Sequence, residues 1–416
     1  MYDIYLKQIG IEKVRHINNI SIDISDNCKR NLILTGKNGS GKTSLLDALS
    51  SQLDFLSETG DFSLIKSKIS FYESRLKNAF FDNITDNTRA DYEKLLDKFN
   101  KNLLEAKSGL ELQFNVSKDE IKSHFDKGEF ILAYYGAKRV FNAFVPEHVE
   151  KVTLRDNYGI NETPRNEFLK YILDLKMTEA LANNSGKKEK AQTIHQWFDS
   201  FESLLKEVLE DDSTKLLFDE DTFKFSIQQD RREIFDFQTL SDGYAAILDI
   251  VVDLIVRMEK HVNGINHFTV PGIVLIDEIE THLHLELQKK IWGFLTKVFP
   301  NIQFIVSTHS PIILSNADNA TIYDLENRKC ISKGLSNLPY EGIIKGYFEV
   351  DDLSRQLRSK FDRYKEIVTK KELSDEEIAE IPELELYLDE IPDYLALEIT
   401  TEYKRLKAVF DKREDL

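Results

Sequence analysis

The chain has 416 residues, of which 41% are apolar and 31% are charged, and its formal net charge is −17. This length accommodates one large domain with insertions or two or three smaller ones. No stretch approaches the ~18–20 consecutive apolar residues of a membrane helix. The N-terminus also lacks a secretory pattern. The net negative charge gives no support for a nucleic-acid binder, although it does not exclude a local basic groove.

The cysteine content points to a reducing compartment. The two cysteines, Cys28 and Cys330, have no metal-binding spacing, and a cytosolic protein keeps its thiols reduced. We therefore expect a cytoplasmic protein with no disulfide and no membrane partner.

The first 50 residues predict two strands, a buried third strand and a helix. INNISIDIS alternates apolar and polar residues, and NLILTG is a short apolar run. The helix is predicted because Leu45, Leu46 and Leu49 fall on one face. A glycine-rich turn between the third strand and this helix is the setting that a phosphate-binding loop requires.

That turn reads Gly36-Lys37-Asn38-Gly39-Ser40-Gly41-Lys42-Thr43 and fits the pattern G-x-x-x-x-G-K-[ST]. Its backbone N–H groups can converge on phosphate oxygens, and the dipole of the following helix faces the same anion. We expect Lys42 to reach the β- and γ-phosphates of ATP and the Thr43 hydroxyl to bind Mg²⁺. The remaining predicted nucleotide contacts are Gly36, Asn38, Gly39, Ser40, Gly41 and Ser44.

The middle of the chain predicts insertions around further core strands. Residues 61–108 carry apolar residues at helical spacing, which predicts a two-helix arm. LELQFNV and EFILAYYG then predict strands. Residues 141–224 are predicted to be mostly helical, with a mobile loop over Asn183–Lys190. FKFSIQQ predicts another strand, and a long helix is expected over Asp236–Val262.

A second motif lies near the start of that predicted helix. Leu240-Ser241-Asp242-Gly243 resembles the LSxG signature of ABC-type ATPases, while an ordinary helix N-cap is the plainer alternative. As a signature, Ser241 and the backbone of Gly243 would contact the γ-phosphate of ATP held by the phosphate loop of another subunit. Free N–H groups at a helix start suit this contact.

Two short apolar strands carry the remaining motifs. IVLI precedes Asp277-Glu278, a Walker B pattern in which Asp277 holds Mg²⁺ and Glu278 acts as the general base for the attacking water. FIVSTHSP places His309 at the end of the next strand, where it would sense the γ-phosphate. Between them, His282 and His284 invite a metal site, but residues two apart do not share a helical face.

The order of these motifs resembles the compact ABC ATPases related to SMC, RecF and the OLD-family ATPase domain. LIDEIETHLH and FIVSTHSP carry the resemblance, with Ile279 and Leu285 where that group usually has proline. It implies an α/β fold with an ABC-type P-loop core. The resemblance covers residues 1–50 and 237–312 only, so the helical insertions and the helical C-terminal region are predicted from the residues themselves. Tyr134 to Arg139 also resembles a tyrosine/arginine motif of the group, which makes Arg139 a candidate phosphate contact or a solvated basic residue.

We therefore predict a core built from two lobes that are separated in sequence. The segments are 1–60 with Walker A, 61–108 as a helical arm, 109–140 as core strands, 141–224 as a helical subdomain, 225–336 with the other motifs, and 337–416 as an acidic helical region. Eleven acidic residues and no Lys or Arg lie between Glu372 and Glu398, which indicates a solvated helix or a surface for a basic partner.

The resemblance implies an ATPase that closes a homodimer, or a higher even oligomer, around ATP and Mg²⁺ at composite sites. Stand-alone ATPases of this kind act with a separate effector such as a nuclease in bacterial anti-phage defence. Three alternatives stay open: a RecF-like clamp that binds DNA through Lys66, Lys68, Arg75 and Lys77, a transporter subunit, and a scaffold with little turnover.

Overall fold

The computed structural model describes residues 3–25, 27–59, 63–78, 86–107, 109–139, 146, 148–261, 268–331, 355–370, 372–389 and 397–410. They belong to two compact units, Met1–Leu338 and Pro339–Leu416. The strands of the described chain are β1 (Leu6–Val14), β2 (Ile17–Asp23), β3 (Asn31–Thr35), β4 (Leu110–Phe114), β5 (Ile131–Tyr135), β6 (Lys215–Asp219), β7 (Lys224–Gln228), β8 (Gly272–Ile276), β9 (Ile302–Ser307), β10 (Ala320–Asp324) and β11 (Lys329–Ile331).

The helices follow the same chain order. They are α1 (Lys42–Thr59), α2 (Ser63–Lys77), α3 (Asp86–Lys107), α4 (Lys118–Asp126), α5 (Phe168–Asn184), α6 (Lys188–Leu209), α7 (Asp242–Met258), α8 (Leu285–Val298), α9 (Pro311–Ser315), α10 (Arg355–Thr369), α11 (Asp375–Asp389) and α12 (Leu397–Phe410). Among the helices described, none is both long enough and apolar enough to span a bilayer.

The larger sheet of the first unit is the parallel sheet that the apolar runs predict. Its strands lie in the order β11-β10-β3-β9-β8-β5, and all neighbouring pairs are parallel except β10 with β11. Every residue of β3, β8, β9 and β10 is buried. Strands covered on both faces read as unbroken apolar runs for this reason. The α/β fold predicted from the sequence is confirmed.

A smaller antiparallel sheet, in the order β2-β1-β4, lies beside it. One buried side chain joins the two sheets: Gln303 of β9 accepts from the amide of Leu6 at 2.7 Å and donates to the carbonyl of Leu6 at 3.0 Å. The same side-chain nitrogen also donates to the carbonyl of Arg30. A buried amide with all of these partners is satisfied and fixes the position of β1.

Every residue of α7 from Ala246 to Met258 is buried, and most of them are apolar, as expected for a helix covered on all sides. It begins six residues later than predicted because Asp236 caps a turn of its own, accepting from the amides of Gln238 and Thr239. Its two aspartates, Asp249 and Asp253, are both fully buried. They are paired with arginines, which is how buried charges are tolerated.

The insertions are helical, as the periodicity indicates. In the arm, α2 and α3 are joined by the stacked rings of Tyr72 and Phe99, 5.8 Å between centroids. The prediction of a mobile loop over Asn183–Lys190 is wrong, because α5 runs to Asn184 and α6 starts at Lys188. The turn between them is closed by backbone bonds from Ser185, Gly186 and Lys187 to α5 carbonyls. Polar composition alone does not distinguish a tight turn from a long loop.

The second unit has its own small core. The described helices α10, α11 and α12 bury Tyr364, Ile367, Leu388 and Tyr403. Part of the acidic run is internally compensated, since Arg363 pairs with Glu380 at 2.9 Å and Lys370 pairs with Glu377 at 2.6 Å. Residues 332–354, where helix was also expected, lie outside the described residues.

Candidate active site

The five parallel strands end at one edge of the larger sheet, and the loop after each of them carries a candidate functional group. The phosphate loop follows β3, Arg139 follows β5, Asp277 follows β8, His309 follows β9 and Glu326 follows β10. The carboxyl edge of a parallel sheet is where ligands bind in folds of this kind.

The phosphate loop has the backbone that its glycines permit. Gly41 has φ +99°, a conformation that residues with a Cβ rarely adopt. A Cβ at this position would also lie 2.6 Å from Cδ1 of Ile17. The loop therefore lies tightly against the start of β2, and glycine is required at Gly41 for two separate reasons.

Lys42 lies inside this loop and is only 5% exposed. Its Nζ donates to the carbonyls of Gly36 at 2.8 Å and Lys37 at 3.1 Å. Burial lowers the pKa of Lys42, while the carboxylates of Glu280, Asp277, Glu278 and Asp324 oppose that effect. The loop lysine thus faces the acids of the Walker B segment.

The Walker B segment is bonded to the end of the neighbouring strand through one hydroxyl. Ser307 Oγ donates to Asp277 Oδ1 at 2.5 Å and accepts from the amide of Glu278 at 2.7 Å. The amide of Ile279 donates to the carbonyl of Ser307 at 3.1 Å. Asp277, 3% exposed, is therefore held in one orientation by β9.

Glu278 has an unusual backbone for a residue with a side chain. Its φ is +46°, in the left-handed region that non-glycine residues visit infrequently. Its carboxylate Oε2 accepts from the Thr281 hydroxyl at 3.0 Å. Outliers of this kind cluster at active sites, where the surrounding structure holds them in place.

Behind this turn, the buried guanidinium of Arg139 donates to carbonyl oxygens of the turn itself. Nη1 lies 2.7 Å from the oxygen of Asp277, and Nη2 lies 2.8 Å from that of Glu278. Burial lowers the pKa of Arg139, and nearby acids, Asp249 first, oppose this. The phosphate contact predicted for Arg139 stays a prediction, and the described geometry favours a different role.

A third acid links the same segment to the loop of His309. Glu280 accepts from the Thr308 hydroxyl at 2.7 Å and from the amide of His309 at 2.5 Å. Burial lowers the pKa of His309, and the charge of Lys42 lowers it further. The imidazole is therefore mostly neutral at pH 7 and faces Lys42 and the acids of the Walker B segment.

One cavity, of about 390 Å³, is lined mainly by residues of α6 and α8 and by none of these groups. A second cavity adjoins the phosphate loop. The second is lined by His16, Ile17, Ile20, Lys37, Asn38, Gly39, Ser40, Leu325, Glu326 and Arg328. The Lys37 ammonium pairs with Glu326 at 3.0 Å, and its amide donates to the same carboxylate. The turn between β10 and β11 is thereby attached to the phosphate loop.

The signature segment forms the start of α7. Ser241 is the exposed N-cap of α7, and its side chain makes no capping bond. Gly243 packs on the loop after Walker B, where a Cβ would lie 3.0 Å from the carbonyl of His282. Neither residue lines the cavity at the phosphate loop.

For a cation, the predicted donors are the exposed Thr43 hydroxyl and the Asp277 carboxylate. Oxygen donors of this kind are what Mg²⁺ prefers, with waters and substrate phosphates completing its shell. Within the described residues there is no cluster of three or more His, Cys, Asp and Glu side chains that could hold a metal. His282 has φ +69° and His284 precedes α8, so the pair does not lie on a helix.

Three sequence-predicted groups therefore converge on Lys42: Asp277, Glu278 and His309. Sequence reasoning missed Ser307, Glu280 and Glu326, which hold these groups in place. Ser307 and Glu280 stand inside the two quoted motifs, but a hydroxyl and a third acid carry no spacing signal of their own.

The fold and these motifs define a P-loop ATPase domain. Residues 32–315 of the chain match the family described as AAA domain, putative AbiEii toxin, Type IV TA system. The match covers more than half of the chain, and the protein belongs to that family.

Two curated relatives cover most of the chain. It is similar to the Septu protein PtuA of Bacillus mycoides (strain KBAB4), 26% identical over 86% of this chain and 47% of that protein. It is also similar to the Retron Vc95 probable ATPase of Vibrio cholerae serotype O1 biovar El Tor, 24% identical over 77% of this chain and 73% of that one. The chain thus spans less than half the length of the Septu relative.

Among solved structures, an SMC head bound to the C-winged helix domain of ScpA matches 80% of this chain and 98% of its own chain. The identity is 14% and the TM-score is 0.39.

Proposed function

We propose that this protein hydrolyses ATP in composite sites formed by two copies of the chain. The observation that carries the proposal is the convergence of Lys42, Asp277, Glu278 and His309 at one sheet edge. The charges of Asp277 and Glu278 contribute to the pKa shifts of both Lys42 and His309, which supports this convergence. Ser241, exposed at the start of α7, and the adjoining backbone of Gly243 are then assigned to the site of a second copy.

In this mechanism Lys42 neutralises the β- and γ-phosphate oxygens, and Thr43 and Asp277 hold Mg²⁺. The cation supplies charge neutralisation when it is bound. Glu278 accepts a proton from water while the water oxygen forms its bond to the γ-phosphorus and the bond to the β-phosphate oxygen breaks. His309, kept neutral by burial and by Lys42, orients the water or the phosphate. Ser241 and the Gly243 amide of the second copy complete the site.

The cellular role we propose is anti-phage defence, with ATP-driven dimerisation as a switch for a separate effector such as a nuclease. The similarity to a Septu protein and to a retron ATPase supports this. A composite ATP site is complete only in the closed dimer, and hydrolysis reopens the dimer. The nucleotide therefore shifts the equilibrium between the open and the closed assembly.

The composite site is tested by mixing two inactive homodimers, Lys42→Ala and Ser241→Arg. In a heterodimer both lesions fall on one site and the other site is intact, so ATPase activity should partly recover. Ser203→Arg, at an exposed position of α6, is the matched partner, because its heterodimer with Lys42→Ala shows what one intact site turns over.

Recovery to the part of the Ser203→Arg mixture's activity that its heterodimers contribute, after subtraction of the active Ser203→Arg homodimers, supports composite sites. With subunit exchange shown independently, the absence of both recovery and ATP-dependent dimers means that each chain works alone and Ser241 only caps α7.

A further inference from the structure

The guanidinium of Arg139 is bound to main-chain carbonyls on its two terminal nitrogens. Nη1 donates to Asp277 O at 2.7 Å and to Gly136 O at 3.2 Å, and Nη2 donates to Glu278 O at 2.8 Å and to Ile279 O at 3.4 Å. The side chain is 5% exposed. Three consecutive carbonyls of the Walker B turn therefore converge on one rigid fork, a geometry that arginine alone among side chains can satisfy.

The convergence matters because of the backbone at Glu278. With φ at +46°, Glu278 has a backbone conformation that a residue with a Cβ does not prefer. On the opposite side, Ser307 accepts from the amide of Glu278. The turn is thus held by its carbonyls on one side and by its amides on the other.

Arg139 also interacts electrostatically with α7, the helix that begins at the signature segment. Among the acids that oppose the effect of burial on its charge, Asp249 of α7 acts most strongly. Asp249 is fully buried and pairs with Arg165 at 2.5 Å. The guanidinium is therefore hydrogen-bonded to the turn that carries Glu278 and is influenced by the charge of Asp249 on α7.

We propose that Arg139 is a positioning residue that fixes the carboxylate of Glu278 for proton transfer, and that it makes no contact with phosphate. The inference rests on the proposed function, because it assigns the proton-accepting role to Glu278. It explains why a basic residue next to a nucleotide site is buried against carbonyl oxygens. It also makes the hydrolytic step, and not nucleotide affinity, the quantity that Arg139 controls.

The test compares Arg139→Lys and Arg139→Gln with Lys138→Gln, a neighbouring exposed base. For each protein we would measure kcat, KM and, separately, the Kd for ATP. We expect the two Arg139 variants to lose on the order of 10–100-fold in kcat, since small misplacements of a reacting group cost that much. Their Kd should stay within about threefold of wild type, as for an interaction used only in the transition state. Lys138→Gln should change neither quantity.

A second measurement separates positioning from a general loss of structure. In the Glu278→Gln background the proton acceptor is already absent, so adding Arg139→Lys should lower the residual turnover by less than about twofold, because coupled residues are non-additive. An equal loss in both backgrounds would overturn the proposal. If Arg139→Gln does not fold, as judged by circular dichroism, Arg139→Lys carries the test.

The outcomes also separate this inference from the proposed function. A Kd weakened tenfold or more with kcat retained would mean that Arg139 contacts phosphate after all. Unchanged kcat in Arg139→Lys, with normal wild-type turnover, would remove the positioning role alone. A wild-type protein that binds ATP without hydrolysing it would remove both.

Discussion

The hydroxyl of Ser307 donates to the carboxylate of Asp277, with 2.5 Å between Oγ and Oδ1. Because the same hydroxyl accepts from the amide of Glu278, one side chain at the end of β9 orients both acids at the end of β8. The two strands are adjacent and parallel, so this contact joins the Walker B acids to the strand that carries His309.

Ser307→Ala should therefore lower both stability and turnover. The change leaves the half-buried amide of Glu278 without its partner, which costs at most about 1–3 kcal/mol, and it releases Asp277. We expect a lower melting temperature and a kcat reduced on the order of tenfold, measured by calorimetry and a phosphate-release assay. Ser203→Ala, whose exposed hydroxyl bonds only to its own helix at Asp199, should behave as wild type. Wild-type turnover in Ser307→Ala would show that Asp277 needs no such partner.

The motif residues could be predicted from the sequence, whereas the residues that hydrogen-bond to them could not. The phosphate loop and the Asp277-Glu278 pair are contiguous, and their chemistry fixes their spacing, so they can be recognised in one chain. Ser307, Arg139 and Glu280 act on residues 28 to 140 positions away. Those pairings exist only once the parallel strands are in register, and no local pattern encodes them.

The same reasoning applies to the fold. Buried parallel strands were predicted because they are unbroken apolar runs, and the arm was predicted because its periodicity is helical. The short helix α4 and the strand β11 escaped detection. Strand β11 has three residues, and α4 buries only Ile121 and Phe125, so neither carries enough apolar positions for a periodic signal.

Glu278→Gln should keep ATP bound and reduce hydrolysis to a small residual rate. The amide matches the carboxylate in shape but cannot take a proton from water, so the variant should accumulate an ATP-bound dimer. Size-exclusion chromatography with light scattering would detect the doubled mass in the presence of ATP and Mg²⁺. Glu220→Gln, in the exposed turn after β6, is the control and should show normal turnover. Normal turnover by Glu278→Gln would mean that another residue is the base.

A buried carboxyl on α7 should make stability depend on pH. Burial, the largest cause, and the charge of Asp253 raise the pKa of Asp249 to about 6, against the opposing charges of Arg165 and Arg139. A carboxyl with a raised pKa is stabilised in its protonated form, so its contribution is complete below the unfolded value of 3.8. That contribution is lost as the pH rises through about 6.

The Asp249→Asn variant has no proton to lose at this position. Its melting temperature relative to wild type should therefore rise between about pH 4 and pH 7, whatever constant offset follows from the loss of the pair with Arg165. Asp212→Asn, at an exposed position before β6, should show no such trend. A difference that stays flat or falls across this range would mean that Asp249 is ionised in the folded protein throughout.

The phosphate loop offers a matched pair of glycines for separating backbone strain from steric overlap. Gly39 and Gly41 both have positive φ, at +84° and +99°, but a Cβ at Gly39 meets nothing within 4 Å, whereas one at Gly41 meets Ile17 at 2.6 Å. Gly39→Ala should cost about 1–2 kcal/mol from the left-handed backbone alone. Gly41→Ala should cost more by about 1–3 kcal/mol, as overpacking does.

Shortening Ile17 distinguishes the two causes. Ile17→Val removes the Cδ1 atom that lies nearest to the added methyl group, although the Cγ1 contact at 3.0 Å remains. The double variant Gly41→Ala, Ile17→Val should therefore be more stable than Gly41→Ala alone by denaturant unfolding, and Ile17→Val should give no such gain in the Gly39→Ala background. Equal effects of Ile17→Val in both backgrounds would show that β2 does not press on the loop at Gly41, and that backbone strain alone requires glycine there.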